Sequence, residues 1–120
     1  MEKASKLTDI PVIIQWKPFY LNETTPAEGM ALSDYIDMKY GAGAYKSFQP
    51  RFNSMKKMGE QVGIMFTDDR KIYATTKAHV LMEIINSNVG LNEQDPSIGN
   101  NVMNQLFQFY FEKGYLLIYI

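Results

Sequence analysis

The side chains that could carry chemistry are few. His79 is the single histidine and the only side chain whose ordinary pKa lies near neutrality, so it is the one candidate for moving a proton at physiological pH. The other conspicuous stretch is Ile14 to Pro26, IQWKPFYLNETTP, where β-branched and aromatic residues run straight into Trp-Lys-Pro-Phe and then an Asn-containing turn. There is no cysteine, which removes the thiolate nucleophile, the disulfide and every Cys-ligated metal centre. One histidine likewise makes a His-rich metal site implausible. The eight methionines are no substitute, because a thioether is neither an acid nor a nucleophile under ordinary conditions; they read as core filler. Asp68 and Asp69 could be mistaken for a metal pair, but two adjacent carboxylates beside Arg70 and Lys71 read as a solvated turn, since a hard cation wants several convergent oxygens. Lys56-Lys57 reads as an exposed helix face.

With 120 residues the chain has room for one core and one domain. A hydrophobic fraction of 46% and a charged fraction of 21% are those of a globular protein. A net charge of −1 without a basic run offers nothing to hold a phosphate backbone, so no nucleic-acid partner is expected. The amino-terminal residues lack the apolar run of a signal peptide, and no apolar stretch reaches the roughly 18 residues of a membrane span. The expectation is a cytoplasmic, soluble product with no membrane partner.

The elements that must position these residues are mostly helical. A short helical signal covers residues 2–7, and VIIQW, residues 12–16, reads as a strand apolar on both faces, which needs partners in a sheet. A polar connector leads to a helix at about 32–40, where Ser33 and Asp34 can serve the open amides and Gly41 and Gly43 stop it. A second helix is expected from about Ala44 to Gln61; Pro50 within it either moves the start toward Gln49 or kinks it. Gly63 to Phe66 is an extended crossing. A third helix starts at Thr75 or Thr76, carries Ala78, Leu81, Met82 and Ile85 inward, and ends at Gly90; residues 91–100 read as a loop. A fourth helix, about 99–112, is apolar nearly all round and is expected at the centre of the core. Its Phe107, Phe109, Tyr110 and Phe111 serve either core packing or a peptide-binding groove. The terminal YLLIYI, residues 115–120, has high β-propensity and no charge, Pro or Gly; it is a candidate for self-association or for pairing beside residues 12–16.

In this order the pieces resemble a DsbA-like thioredoxin domain, in the branch of FrnE and the 2-hydroxychromene-2-carboxylate isomerases. The resemblance rests on Trp16-Lys17-Pro18-Phe19 with Leu21-Asn22, on Gly63-Ile64-Met65-Phe66, on Ala78-His79 before Leu81, and on Leu106-Phe107, Tyr110-Phe111 and Gly114. It covers residues 1–114 and implies a partial domain. One or two thioredoxin-type strands, the first at about 12–16, would precede a helical insertion of about 31–113, and residues 115–120 would form a divergent tail. The family's Cys-x-x-Cys turn and its cis-proline strand have no counterpart, and Ala74 and Val80 stand where Asn and Arg are frequent. Thiol–disulfide exchange needs an attacking thiolate and a resolving thiol, so a chain without either is expected to be catalytically inactive by itself.

The resemblance also implies where a substrate would touch. Lys17, Pro18 and Phe19 would lie at the carboxyl end of the strand, Asn22 would position a ligand, and His79 would face the cleft. Each has a plainer reading. Phe19 with Trp16 anchors the insertion, Pro18 ends the strand, Asn22 makes a turn, and His79 caps or bridges helices by hydrogen bonding. Two functional classes follow: a disulfide-oxidoreductase relative without its redox centre, or a non-catalytic helical module offering an apolar groove to a peptide or protein partner. No cofactor is expected; glutathione enters only if the chain is a glutathione-dependent isomerase or transferase relative.

Overall fold

A computed structural model describes residues 6–7 and 14–115. The helices that lie wholly among the described residues are α1 (Leu32–Tyr40), α2 (Ala44–Gln61), α3 (Thr76–Ser87), α4 (Val89–Gln94) and α5 (Ile98–Phe107), the last continued by a π-helical turn, Gln108–Glu112. Two short strands, β1 (Met30–Ala31) and β2 (Lys71–Ile72), pair antiparallel with Met30 opposite Ile72. With 60% of these residues helical, the mostly-α expectation holds.

The core is small and lies between α3 and α5. Ala78, Met82 and Ile85 fall at helical spacing on one face of α3 and meet Leu106 of α5, with Trp16, Leu81, Ile98, Val102 and Met103 packed round them. Gly99 is buried at this contact, where a Cβ would stand in ordinary contact with Met82 and Ile85, 3.8 and 3.9 Å away, so the packing would accept one. Trp16 joins the amino-terminal segment to this core. Its carbonyl accepts from Asn86 Nδ2 at 2.7 Å, its Nε1–H donates to Asn100 Oδ1 at 3.3 Å, and its ring stands edge-on to Phe107.

These bonds explain one departure from the expected strand at 12–16. Ile14 to Trp16 have no strand assignment, and the Trp16 carbonyl finds a side-chain donor instead of a ladder; residues 12–13 lie outside the described set. The helix at 2–7 is represented by Lys6 and Leu7 alone.

The helix ends differ from expectation in instructive ways. Ser33 and Thr75 cap nothing: the first residue before α1 is Ala31, and neither α1 nor α3 has a side-chain cap bond. Asp34 still sits in the first turn of α1, where the helix dipole favours it. Helix α3 stops at Ser87, not Gly90, because Asn88 turns the chain and its Oδ1 accepts from the Leu91 amide at 3.0 Å, starting α4 within the stretch expected as loop. Helix α2 begins at Ala44, after Gly43 in the left-handed region, and carries Pro50 inside it.

The terminal helix is also less buried than its composition suggests. Leu106 is in the core, but Phe107 and Phe109 are 40% and 39% exposed, so this element is a wall with open ground on its outer side. The extended crossing clamps it: the Thr67 amide donates to the Phe111 carbonyl at 2.8 Å, and Phe66 meets Phe111 edge-on at 5.9 Å. Gly59 makes room for that crossing, because a Cβ would press within 2.7 Å of the Phe66 ring and 2.8 Å of the Ile64 carbonyl. Of the terminal 115–120 segment only Tyr115 is described, ring to ring with Phe109 at 6.2 Å.

Candidate functional site

His79 belongs to the first turn of α3, with its amide donating to the Thr75 carbonyl at 3.0 Å. Its neighbour Ala78 points into the core, which turns the imidazole to the edge of that face, toward the segment arriving from Trp16. There Tyr20 packs on it edge-to-face, with centroids 4.8 Å apart and planes at 68°. The Nδ1 atom is buried and has no hydrogen-bond partner among the described residues. Burial pushes the imidazole pKa below its ordinary value, because the charged form loses water and gains no compensating group. His79 is therefore held neutral, with one ring nitrogen left unused.

The space beside this ring is a cleft of about 350 Å³. Phe19, Tyr20 and Asn22 line one side, His79 another, and Tyr73 and Tyr110 close it from the strand and the terminal helix. Tyr73 is only 9% exposed, and it is seated against Gly29 so closely that a Cβ at Gly29 would overlap the ring. Gly29 also has φ +82°, a conformation that side-chain-bearing residues avoid. Tyr110 donates from its hydroxyl to the Lys71 carbonyl at 2.8 Å, which ties the terminal helix to β2. Burial pushes the Tyr110 phenol upward, and the Arg70 guanidinium opposes that shift in part.

The cleft gathers three of the five residues singled out in the sequence, Phe19, Asn22 and His79, and leaves Lys17 and Pro18 outside its lining. Phe19 is 74% exposed at the rim. Asn22 is occupied locally: its Oδ1 accepts from the Thr24 amide at 2.9 Å and the Thr24 hydroxyl at 2.7 Å, an Asx turn that accounts for the residue without a ligand. His79 neither caps nor bridges through Nδ1, so the hydrogen-bonding role expected of it is missing at that atom.

No protein-family model, curated protein or solved structure matches the chain. Its chemistry must be argued from the side chains themselves.

Those side chains offer apolar surface, ring faces and a neutral imidazole. Among the described residues no group of three or more His, Asp or Glu side chains is placed to hold a metal ion. Asp68 pairs with Lys56 across the turn, and the Asp69 amide is taken by the Thr67 hydroxyl at 3.2 Å, as a surface turn would have it. No helix among the described residues is long and apolar enough to cross a membrane.

Sequence reasoning missed Tyr20 and Tyr73 as cleft residues, while Tyr110, Phe107 and Phe111, read as core packing or a peptide-binding groove, do line the cleft. The aromatic content was visible, but helical periodicity marks an apolar face without saying whether another element covers it. The one local signal was Gly29, whose need for a bare α-carbon reflects the ring packed on it. Phe107 and Phe111 are shared walls: on their far side lies a second cavity of about 640 Å³, reaching across to α2 and the extended crossing.

Proposed function

We propose that this chain is a non-catalytic binding module, related to the helical insertion of a DsbA-like thioredoxin domain, that accepts an apolar or aromatic side chain of a peptide partner in the His79 cleft. The observation that carries the reading is a cavity of about 350 Å³ walled by aromatic rings, with the imidazole of His79 at its side. The surrounding rings supply contact area that needs little ordering on binding. The ancestry part of the proposal is supported by the four motifs in order and by a largely helical chain whose Trp-Lys-Pro-Phe segment is fastened to the helical core through Trp16. The missing thiols make exchange chemistry impossible for this polypeptide acting alone.

The test uses two reporters that occur once each, the His79 imidazole by NMR and Trp16 by fluorescence. A short peptide with a central phenylalanine should shift the His79 resonances saturably, and the same peptide with alanine at that position should not. His79→Leu should abolish the peptide-dependent change in Trp16 fluorescence while leaving the helical circular dichroism unchanged. Equal responses to the two peptides, or none at millimolar concentration, would sink the proposal.

A further inference from the structure

The second cavity, of about 640 Å³, differs from the His79 cleft in the charge on its walls. Asn104, Phe107, Gln108 and Phe111 line it at helical spacing from the terminal helix, and Met55, Ile64 and Phe66 line it from α2 and the extended crossing. Among the described lining residues Arg70, just before β2, is the one cation and Glu112 the one anion. Neither is matched within the protein. Arg70 lies over the rings of Phe111 and Tyr110, 5.0 and 5.6 Å from their centroids, while Asp68 in the adjoining turn is paired with Lys56 instead. Lys113, next to Glu112, is drawn over the Phe109 ring at 5.3 Å, and Phe109 lines neither cavity. The only ion pair among the described residues is Lys56 with Asp68, so Arg70 and Glu112 do not pair with each other either.

Opposite charges held apart on one apolar wall set the charge pattern of what fits there: an anionic group at Arg70, a cationic group at Glu112, and apolar surface beside both. A guanidinium has five N–H donors, so its place over the rings leaves donors for an anion. We infer that this cavity binds a free, zwitterionic dipeptide with large apolar side chains, its carboxylate at Arg70 and its ammonium at Glu112. The carboxamides of Gln105 and Gln108 on the same wall offer donors and acceptors to the peptide unit between the two charges, which favours a dipeptide over a single amino acid. The volume lies within the roughly 300–1,000 Å³ of small-molecule sites, and the aromatic walls suit apolar side chains. Phe107 and Phe111 separate this site from the His79 cleft, and the inference stands apart from the reading of that cleft.

Titration calorimetry of the full chain tests the charge pattern with leucyl-phenylalanine and with the same dipeptide either acetylated at its amino terminus or amidated at its carboxyl terminus. Either cap should weaken binding about tenfold, since each removes one charge-assisted hydrogen bond. Arg70→Met should weaken the free dipeptide by a similar factor and make amidation cost nothing further, while acetylation keeps its penalty. Glu112→Gln should do the converse. His79→Leu should leave all three affinities unchanged, so failure of this inference and failure of the His79 reading are separable. No binding of the free dipeptide at millimolar concentration, caps that cost nothing, or a cap penalty undiminished in its matching variant would overturn the inference. The comparison of caps needs only the unsubstituted chain, so it decides even where a variant does not fold.

Discussion

The indole of Trp16 meets the Phe107 ring edge-on, with centroids 5.4 Å apart and planes at 82°. Phe107 lines both cavities, so this contact connects the segment bearing Phe19 and Asn22 to the wall between them. It also explains how an extended stretch without strand pairing stays in place: its ring packs on a helix, and its backbone and indole bonds go to Asn86 and Asn100.

Trp16→Phe should keep most of the packing and lose the indole bond to Asn100, costing about 1 kcal/mol. Trp16→Ala should cost about 3 kcal/mol by leaving a cavity against Phe107 and the α3–α5 core. Urea unfolding followed by circular dichroism measures both. A smaller loss for alanine than for phenylalanine would show that the ring does not anchor the segment.

His79 makes stability depend on pH in a fixed direction. Its folded pKa is lowered by burial from an ordinary value of 6.5, so the unfolded chain takes up a proton first as pH falls. The His79 contribution is therefore fully present above pH 6.5 and is lost as pH falls from there through the lower folded pKa. His79→Leu should flatten this window and be neutral or stabilising by about 1 kcal/mol near neutrality, because it removes an unpartnered buried nitrogen. Unfolding free energies of the two proteins at a series of pH values test it. A parallel decline in the leucine variant would assign the effect to other groups.

Several features were legible in the sequence because local chemistry decided them. Helices α1 and α2 have the predicted bounds since the glycines between them, Gly41 and Gly43, both adopt positive φ that only glycine takes easily. The inward face of α3 followed from spacing, and Ala78, Met82 and Ile85 are buried. What was illegible depends on long-range partners. The β1–β2 bridge is two residues per strand, too short for any alternation to show. The expected strand ending at Trp16 had the right composition, but side chains from α3 and α5 supply its hydrogen bonds. The cleft follows the same rule. His79 stood out by type, whereas Tyr73 joins it only because a glycine seat holds it.

Gly29 should tolerate no side chain. Gly29→Ala combines a φ of +82° with direct overlap of Tyr73, and a loss of about 2 kcal/mol is expected. Gly43→Ala has the same φ of +82° but nothing within 4 Å of the new Cβ, so it should cost about 1 kcal/mol. The difference between the two, measured by denaturant unfolding, isolates the close approach of Tyr73. If they cost the same, Tyr73 yields without penalty and the cleft wall is not fixed by Gly29.

Pro50 is the residue most at odds with its element. It lies seven positions into α2, where it can donate no bond to the Lys46 carbonyl and its ring crowds that same carbonyl. An interior proline commonly costs about 3 kcal/mol, but it also restricts the unfolded chain, so Pro50→Ala should stabilise by a smaller amount, about 1–2 kcal/mol. Pro50 is exposed, which removes any packing loss from the comparison. Thermal unfolding should shift upward, and amide exchange in α2 should slow on both sides of position 50 if the helix is continuous across it. A destabilised alanine variant would mean that the proline shapes α2 for a contact that the described residues do not contain.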